Sequence, residues 1–316
     1  MKNFDRCVRS LLIRLQSRSG SRLHHKYVPG AWLPWARLRG ANLRGSTLTK
    51  ANLTRADLSG AKLDDVNLFG AKLRGANLRG ASLTLTHLRH ADLTNARLGD
   101  ANLKYANLSG ANLTGADLGG ANLIGTNLLG TRLHAADLTG ARLHGQRLAL
   151  AHLVHANLTD ADLTETVLQA AKLHSARLTG ARAQGADLRS AHLTGADLTG
   201  ADLRNARLSF ASVRGADLSR ADLREAELEF LSDVAEATFR EADLRGARLE
   251  MVDGPPDGVG DVQREAYGRR LFEAHTGSGI FMSVHWSSAT RWPASITDDV
   301  RECSEETAPG IWQVVR

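Results

Sequence analysis

A five-residue period runs through most of the chain and leaves few folds open to it. Reading in fives from Ala31 to Phe230 gives forty consecutive repeats, in which the third residue is Leu in 38 and the first is Ala in 33. Neither an α-helix, with 3.6 residues per turn, nor a plain strand, with a period of two, returns to the same face every five residues. A fixed period of this kind indicates a repeat architecture, which has to be settled before any local motif is interpreted.

The residue types within the repeat indicate how it folds. Leu at the third position and Ala at the first predict two inward-pointing side chains, one large and one small. Gly fills the fifth position in eighteen repeats, and Asn or Asp fills the second in twenty. Gly tolerates a positive φ, and Asn and Asp bond to nearby backbone, so both suit a corner. Each repeat is therefore predicted to form one short side and one corner, with the other positions facing solvent.

The exceptions at the first position predict the number of sides. Six of the seven repeats that lack Ala there share one phase of a twenty-residue period; the seven are Ser46, Val66, Thr86, Thr126, Thr131, Gln146 and Thr166. A twenty-residue super-period means four sides per coil, so forty repeats make ten coils stacked at strand spacing. We name the sides by their first repeat: side 1 starts at Ala31, side 2 at Ala36, side 3 at Ala41 and side 4 at Ser46.

The pattern resembles that of the pentapeptide-repeat family, A(D/N)LXX, over residues 31–251, about 70% of the chain. The resemblance implies an all-β solenoid, a right-handed quadrilateral β-helix with stacked Leu as its core. Ala183 is an undersized third position and predicts a weak point. The spacing from Leu228 to Phe239 exceeds two repeats by one residue, which predicts a bulge or corner loop in an eleventh, final coil.

The two ends depart from the repeat. Residues 1–30 form a basic leader in which 4–18 have the apolar spacing of an amphipathic helix. This leader caps the first coil, binds an anionic membrane or nucleic acid, or is unstructured. Residues 252–261 are predicted to be a linker, and 262–316 a small α/β appendage. Within it we expect helices near 262–274 and 297–306 and strands near 279–286 and 311–315, without predicting whether it caps the solenoid or stands apart.

The apolar runs and the cysteines of the chain indicate its cellular compartment. No apolar run approaches the ~18 residues of a membrane span, and the two cysteines, Cys7 and Cys303, form no metal or disulfide pattern. A cytoplasmic protein without a transmembrane segment is therefore expected. The net charge of +6 belongs mainly to the leader, which has seven basic residues and one acidic residue.

Two sides carry candidate sites. Side 1 has a single acidic residue, Asp92, against six cations of a candidate anion-binding face: Arg55, Lys72, Arg74, Arg132, Lys172 and Arg214. It also holds His134, His152, His155, His174 and His192, in which a metal site is the weaker interpretation and ordinary surface positions the stronger. Side 4 carries a candidate apolar contact face of Phe69, Leu129, Leu150, Phe210 and Phe230, which the appendage or a second copy of the chain could cover.

The sequence offers no catalytic constellation. It has no phosphate loop, zinc-finger spacing or distinct carboxylate pair, so no enzyme activity, cofactor or metal is predicted. We expect a non-enzymatic scaffold that presents a rigid surface, above all to a protein, with a homodimer possible. The family resemblance also implies an alternative, a DNA mimic acting on DNA gyrase. However, residues 31–220 sum to +9, which argues against mimicry. The other alternative is direct nucleic-acid binding through the leader and side 1.

Overall fold

The structure is a computed structural model of the chain. It describes residues 24–232, 234, 236–251, 285–287, 290, 300–301, 304–308 and 311–314. They belong to two compact units, Met1–Asp162 and Leu163–Arg316. The helix predicted within the leader, the linker 252–261 and the helix predicted near 262–274 lie outside the described residues.

In the first compact unit, the second residue of each repeat forms a parallel β-bridge with the residue twenty positions later. These bridges run from Tyr27↔Thr47 to Arg142↔Asp162 and form one ladder on each of four sides. The twenty-residue period and the four-sided coil are thereby confirmed. The ladders begin one repeat earlier than Ala31, because Tyr27 already takes part in a bridge.

Backbone hydrogen bonds explain why a five-residue side closes so regularly. In the repeat that starts at Ala51, Asn52 donates to the Ala31 carbonyl at 2.8 Å, and Leu53 donates to the Lys72 carbonyl at 2.7 Å. Arg55 donates to the next coil in the same way, and the following Ala56 donates to the Leu53 carbonyl at 3.0 Å across the corner. Four of the five N–H groups are thus satisfied by backbone, as closely packed strands require.

The fifth N–H group explains the preference for Asn and Asp at the second position. Thr54 N donates to Asn52 Oδ1 at 3.1 Å, and Ser59 N donates to Asp57 Oδ1 at 3.1 Å. A short side-chain oxygen two residues earlier therefore accepts the only backbone donor that the coil leaves over.

The corners require a positive φ, and glycine is not the only residue that supplies it. The φ of Gly60 is 62° and that of Arg55 is 56°, and both lie at the third residue of a hydrogen-bonded turn. A positive φ at this position is characteristic of a type II turn. Side chains are accepted there at a cost of roughly 1–2 kcal/mol each, because the ladders on both sides of the corner hold the backbone in place.

The interior consists of the predicted Leu and Ala columns. Leu123, at a third position, is 1% exposed, and Ala121, at a first position, is 0% exposed. The non-Ala first positions are also buried. Two of their threonines bond to the preceding coil: Thr86 Oγ1 donates to the Leu63 carbonyl at 2.7 Å, and Thr126 Oγ1 donates to the Leu103 carbonyl at 2.8 Å. Thr is therefore tolerated inside the coil because a carbonyl oxygen lies within reach.

The second compact unit contains the undersized position Ala183, which is 1% exposed. Its N–H still donates to the Asp202 carbonyl at 2.7 Å, so the coil keeps its register around the small side chain. We expect Ala183→Leu to restore the column and raise the free energy of unfolding by about 2 kcal/mol, since each buried methylene contributes about 0.8 kcal/mol. Chemical denaturation followed by circular dichroism measures this change. The matched control is Ala186→Leu at a first position, which should destabilise by overpacking; equal destabilisation by both would contradict the prediction.

The one-residue slip lies in the last coil, as the spacing predicted. Arg207 pairs with Glu227 twenty residues on, whereas Glu227 pairs with Arg248, twenty-one residues on. The two strands there, β1 (Glu227–Leu231) and β2 (Arg248–Met251), are parallel, and their register shifts between Glu229 and Leu231.

The appendage contributes a three-stranded antiparallel sheet, β3 (His285–Ser287), β4 (Ser304–Ala308) and β5 (Ile311–Val314), in the order β3-β5-β4. Val300 and Arg301 are helical, but the helix predicted near 297–306 is wrong from Ser304 onward. Pairing of β4 with β5 overrides the helix propensity of its glutamates. The sequence Pro309-Gly310 between the two strands is a turn signal that favours this hairpin.

Within the described part of the appendage, Thr290 hydrogen-bonds to the last coil. Thr290 Oγ1 donates to the Leu244 carbonyl at 2.9 Å and accepts a hydrogen bond from Gly246 N at 3.2 Å. Leu244 is a third-position residue, so Thr290 makes the bond that Thr86 and Thr126 make inside the coil. The appendage therefore continues the hydrogen bonding of the final coil at this point.

Candidate functional site

The cations of side 1 differ in how strongly they are paired. In the first compact unit, Lys72 and Arg132 lie in the side 1 bridge ladder. The guanidinium carbon of Arg55 lies 4.7 Å from the ring centroid of Trp35, within the range of a cation–π contact. Arg74 Nε is 3.8 Å from Asp92 Oδ2, beyond hydrogen-bond distance. Asp92 therefore lies near both Lys72 and Arg74, whereas Arg55 and Arg132 form no ion pair within the described residues.

The remaining two cations of the predicted face lie in the second compact unit. Arg214 Nη2 is 3.4 Å from Glu236 Oε1, so its charge is partly offset. Lys172 lies in a bridge ladder with His192. Burial, together with the charges of His192 and Lys172, lowers the pKa of His174, so this histidine is neutral at physiological pH.

The histidines of side 1 meet in pairs. The rings of His134 and His155 lie 5.6 Å apart between centroids, and those of His174 and His192 lie 5.5 Å apart. Within the described part of the chain, no group of three or more His, Cys, Asp or Glu side chains is placed to hold a metal ion. The geometry therefore gives the metal interpretation no support.

The apolar residues of side 4 point outward to different degrees. In the first compact unit, Leu129 is 70% and Leu150 is 68% exposed. Phe69 is half-buried, with its ring in edge contact with the His90 ring at 5.8 Å. In the second compact unit, Phe210 and Phe230 stack on each other with centroids 5.3 Å apart. The most exposed apolar surface of side 4 in the first unit is therefore the Leu129–Leu150 pair.

Sequence reasoning overlooked two groups of exposed side chains. Tyr27, Trp32 and Trp35 are 77%, 66% and 64% exposed in the earliest described repeats. Leu85 and Tyr105, both at fifth positions of side 3, are each 55% exposed. Their positions in the repeat already indicated exposure, because all five residues occupy second or fifth positions, which the repeat assigns to the outside.

An arginine–aspartate ladder crosses three coils of side 3 in the second compact unit. Arg204 binds Asp202 through two hydrogen bonds of 2.8 and 2.6 Å, and it also lies 3.5 Å from Asp222 in the next coil. Arg224 repeats both contacts with Asp222 and Asp243, and Arg245 repeats the bond within its own repeat, to Asp243. The bond from Arg204 lowers the pKa of Asp202, despite partial burial of the carboxyl. Since each cation has a nearby carboxylate, this ladder stabilises the coils and leaves little charge for a ligand.

The repeats match a known family model. Pentapeptide repeats are matched in eight copies over residues 35–68, 67–104, 106–145, 147–182, 171–209 and 201–231. The chain belongs to the pentapeptide repeat family. This pentapeptide repeat protein has no match among the curated proteins that were compared with it.

Solved structures of pentapeptide repeat proteins are similar to this chain. HetL, a pentapeptide repeat protein involved in heterocyst differentiation regulation from the cyanobacterium Nostoc sp. strain PCC 7120, is 31% identical, with 76% of this chain and 94% of HetL covered and a TM-score of 0.36. A pentapeptide repeat protein from the cyanobacterium Cyanothece 51142 is 29% identical over 39% of this chain and 92% of its own, with a TM-score of 0.32. QnrB1, a plasmid-mediated fluoroquinolone resistance protein, is 20% identical over 71% and 96%, with a TM-score of 0.27.

The described residues include no helix with the length and hydrophobicity needed to cross a bilayer.

Pentapeptide repeat proteins are generally non-enzymatic scaffolds, and this chain shares their repeat over most of its length.

Proposed function

We propose that this protein is a non-enzymatic scaffold that presents a rigid apolar surface to a partner protein. The observation that carries the proposal is the exposure of Leu129 and Leu150, 70% and 68%, on adjacent coils of side 4. The side chains project from a backbone in which Leu128 and Leu148, in the same repeats, are buried. The backbone that carries the pair is therefore held in place before binding, which reduces the entropy lost on association.

The surface chemistry supports a protein partner. Two neighbouring leucines offer apolar area, and covering such area contributes about 25 cal/mol per Å². Side 4 has few acidic groups near them, so the patch lacks the dense negative charge that a DNA mimic needs. Residues 31–220 carry 23 basic and 14 acidic residues, which is the wrong sign for mimicry.

A comparison of two exposed apolar sites tests the proposal. The full chain and the double variant Leu129→Ser/Leu150→Ser are immobilised, and proteins retained from native lysate are quantified with and without nuclease. We expect the double variant to retain at least about tenfold less of a partner protein whose retention is insensitive to nuclease, since two apolar contacts are removed. The matched control, Leu85→Ser on side 3, should retain that partner.

Each outcome has a defined meaning. Equal retention by the parent and the double variant would contradict the proposal. If the parent scatters light as a dimer and the double variant as a monomer, the partner is a second copy of the chain. Tight inhibition of gyrase supercoiling that persists at high salt would instead favour the DNA mimic.

A further inference from the structure

We infer that the beginning of side 1 is a binding site for single-stranded nucleic acid, with Arg55 and Arg74 as the phosphate contacts and the neighbouring tryptophans as the base contacts. A shallow groove of about 430 Å³ lies there on the surface of the first compact unit. Its lining crosses four successive coils: Trp35, Thr54, Arg55, Arg74, Gly75, Thr94 and Asn95.

The groove exists because of a missing side chain. Fifth positions of side 1 are stacked in the order Trp35, Arg55, Gly75 and Asn95. A Cβ atom on Gly75 would lie 3.4 Å from Arg55 Cγ, and Gly75 adds no side chain between Arg55 and Asn95. The two arginines therefore border an open notch.

The two guanidinium groups are available to an anion. Arg55 has no carboxylate partner among the described residues, and its charge rests on the Trp35 ring at 4.7 Å. A cation–π contact holds the group in place and leaves its N–H donors free. Asp92, the nearest acid to Arg74, already accepts hydrogen bonds from the backbone N–H and the hydroxyl of Thr94. Its 3.8 Å distance from Arg74 leaves that guanidinium weakly held.

The donor set fits a phosphate group. Arginine binds phosphate oxygens through two parallel N–H bonds, and two further polar residues, Thr54 and Asn95, line the same groove. Lys72 lies in the bridge ladder of the same side, between Asn52 and Asp92, and it adds a third positive charge.

The exposed indoles point to a single strand rather than a duplex or a phosphopeptide. Trp32 and Trp35 lie in one repeat beside Arg55 and are 66% and 64% exposed. Single-stranded nucleic acid combines backbone charge with free base faces that stack on aromatic side chains, whereas duplex bases are already stacked. The chain's own leader fits poorly, because its excess of basic residues is repelled by the same cations.

The test measures the anisotropy of a short fluorescein-labelled oligothymidylate with the full chain as salt is raised. We expect Arg55→Gln/Arg74→Gln to weaken binding at least tenfold, and to reduce the slope of log K against log salt by about 1.4, since each single-strand phosphate contact accounts for about 0.7. The matched control is Arg37→Gln/Arg89→Gln, which removes two guanidiniums without described acid partners from sides 2 and 4. It should weaken binding less than threefold.

A second set of variants separates the bases from the phosphates. Trp32→Ala/Trp35→Ala should weaken oligothymidylate binding roughly fivefold or more. In the parent protein, tryptophan fluorescence should be quenched when the oligothymidylate binds. Arg55→Lys, which keeps the charge but loses the paired donors, should recover part of the affinity. The inference is overturned if Arg55→Gln/Arg74→Gln and Arg37→Gln/Arg89→Gln weaken oligothymidylate binding equally. It is also overturned if a duplex of the same length binds with equal affinity, or if the protein binds inorganic phosphate but not the oligothymidylate. A failure here leaves the protein partner of side 4 untouched, because that partner is measured after nuclease treatment.

Discussion

Leu123→Asp is expected to lower the free energy of unfolding by more than about 4 kcal/mol. Leu123 is 1% exposed in the interior column of its coil. The substitution removes a large buried side chain and places a carboxylate among leucines, and both changes are costly. Denaturant unfolding followed by circular dichroism measures the loss. Because burial raises the pKa of the introduced carboxyl, stability should recover as the pH falls through that raised value and the group becomes neutral.

The control for this experiment is Leu129→Asp in the next repeat. Leu129 has the same chemistry but is 70% exposed, so the carboxylate stays in water. Its unfolding free energy should change by less than about 0.5 kcal/mol. Similar melting of the two variants would mean that the inward and outward assignments of the repeat are wrong.

The fold could be predicted from sequence because a single register repeats many times. Once Leu is assigned to the interior at one third position, all other third positions follow, and the phase of residues such as Thr86 and Gln146 gives four sides. The handedness could not be predicted in this way, because the same bridges at twenty residues are compatible with either hand; only the family resemblance implies a right-handed coil. The β4–β5 hairpin was missed because a glutamate-rich segment has helix propensity, and pairing with β5 is a tertiary effect.

The candidate site could be predicted only in part. The phase of Arg55 and Arg74 placed both on side 1, but phase does not tell which cations are paired. Arg214 looks equivalent in sequence, yet Glu236 approaches it because of the extra residue in the last coil. Likewise, Leu129 and Phe230 share a side, but only Phe230 has an aromatic neighbour, Phe210, that partly covers it.

The second large effect is expected from Thr290→Val at the end of the last coil. Gly246 N is buried and donates to Thr290 Oγ1. The Leu244 carbonyl also accepts from Ala247 N at 3.0 Å, so it keeps one partner when the hydroxyl is lost, whereas the Gly246 donor keeps none among the described residues. An unsatisfied buried donor costs about 1–3 kcal/mol. We expect the free energy of unfolding to fall by that amount, with the largest increase in hydrogen-exchange rate at the Gly246 amide.

A matched threonine isolates the contribution of that donor. Thr126→Val removes the same hydroxyl from inside a coil, where it bonds only to the Leu103 carbonyl at 2.8 Å. Leu103 also accepts from Ala106 N at 2.9 Å, so no N–H group is left without a partner. Thr126→Val should therefore destabilise less than Thr290→Val, and Thr290→Ser should restore the protection of Gly246. If the two valine variants are equally stable and the Gly246 amide exchanges at its original rate, Thr290 does not secure the final coil. If the predicted order is found, the appendage protects the last edge of the ladder through one hydroxyl that repeats the bonding of the interior threonines.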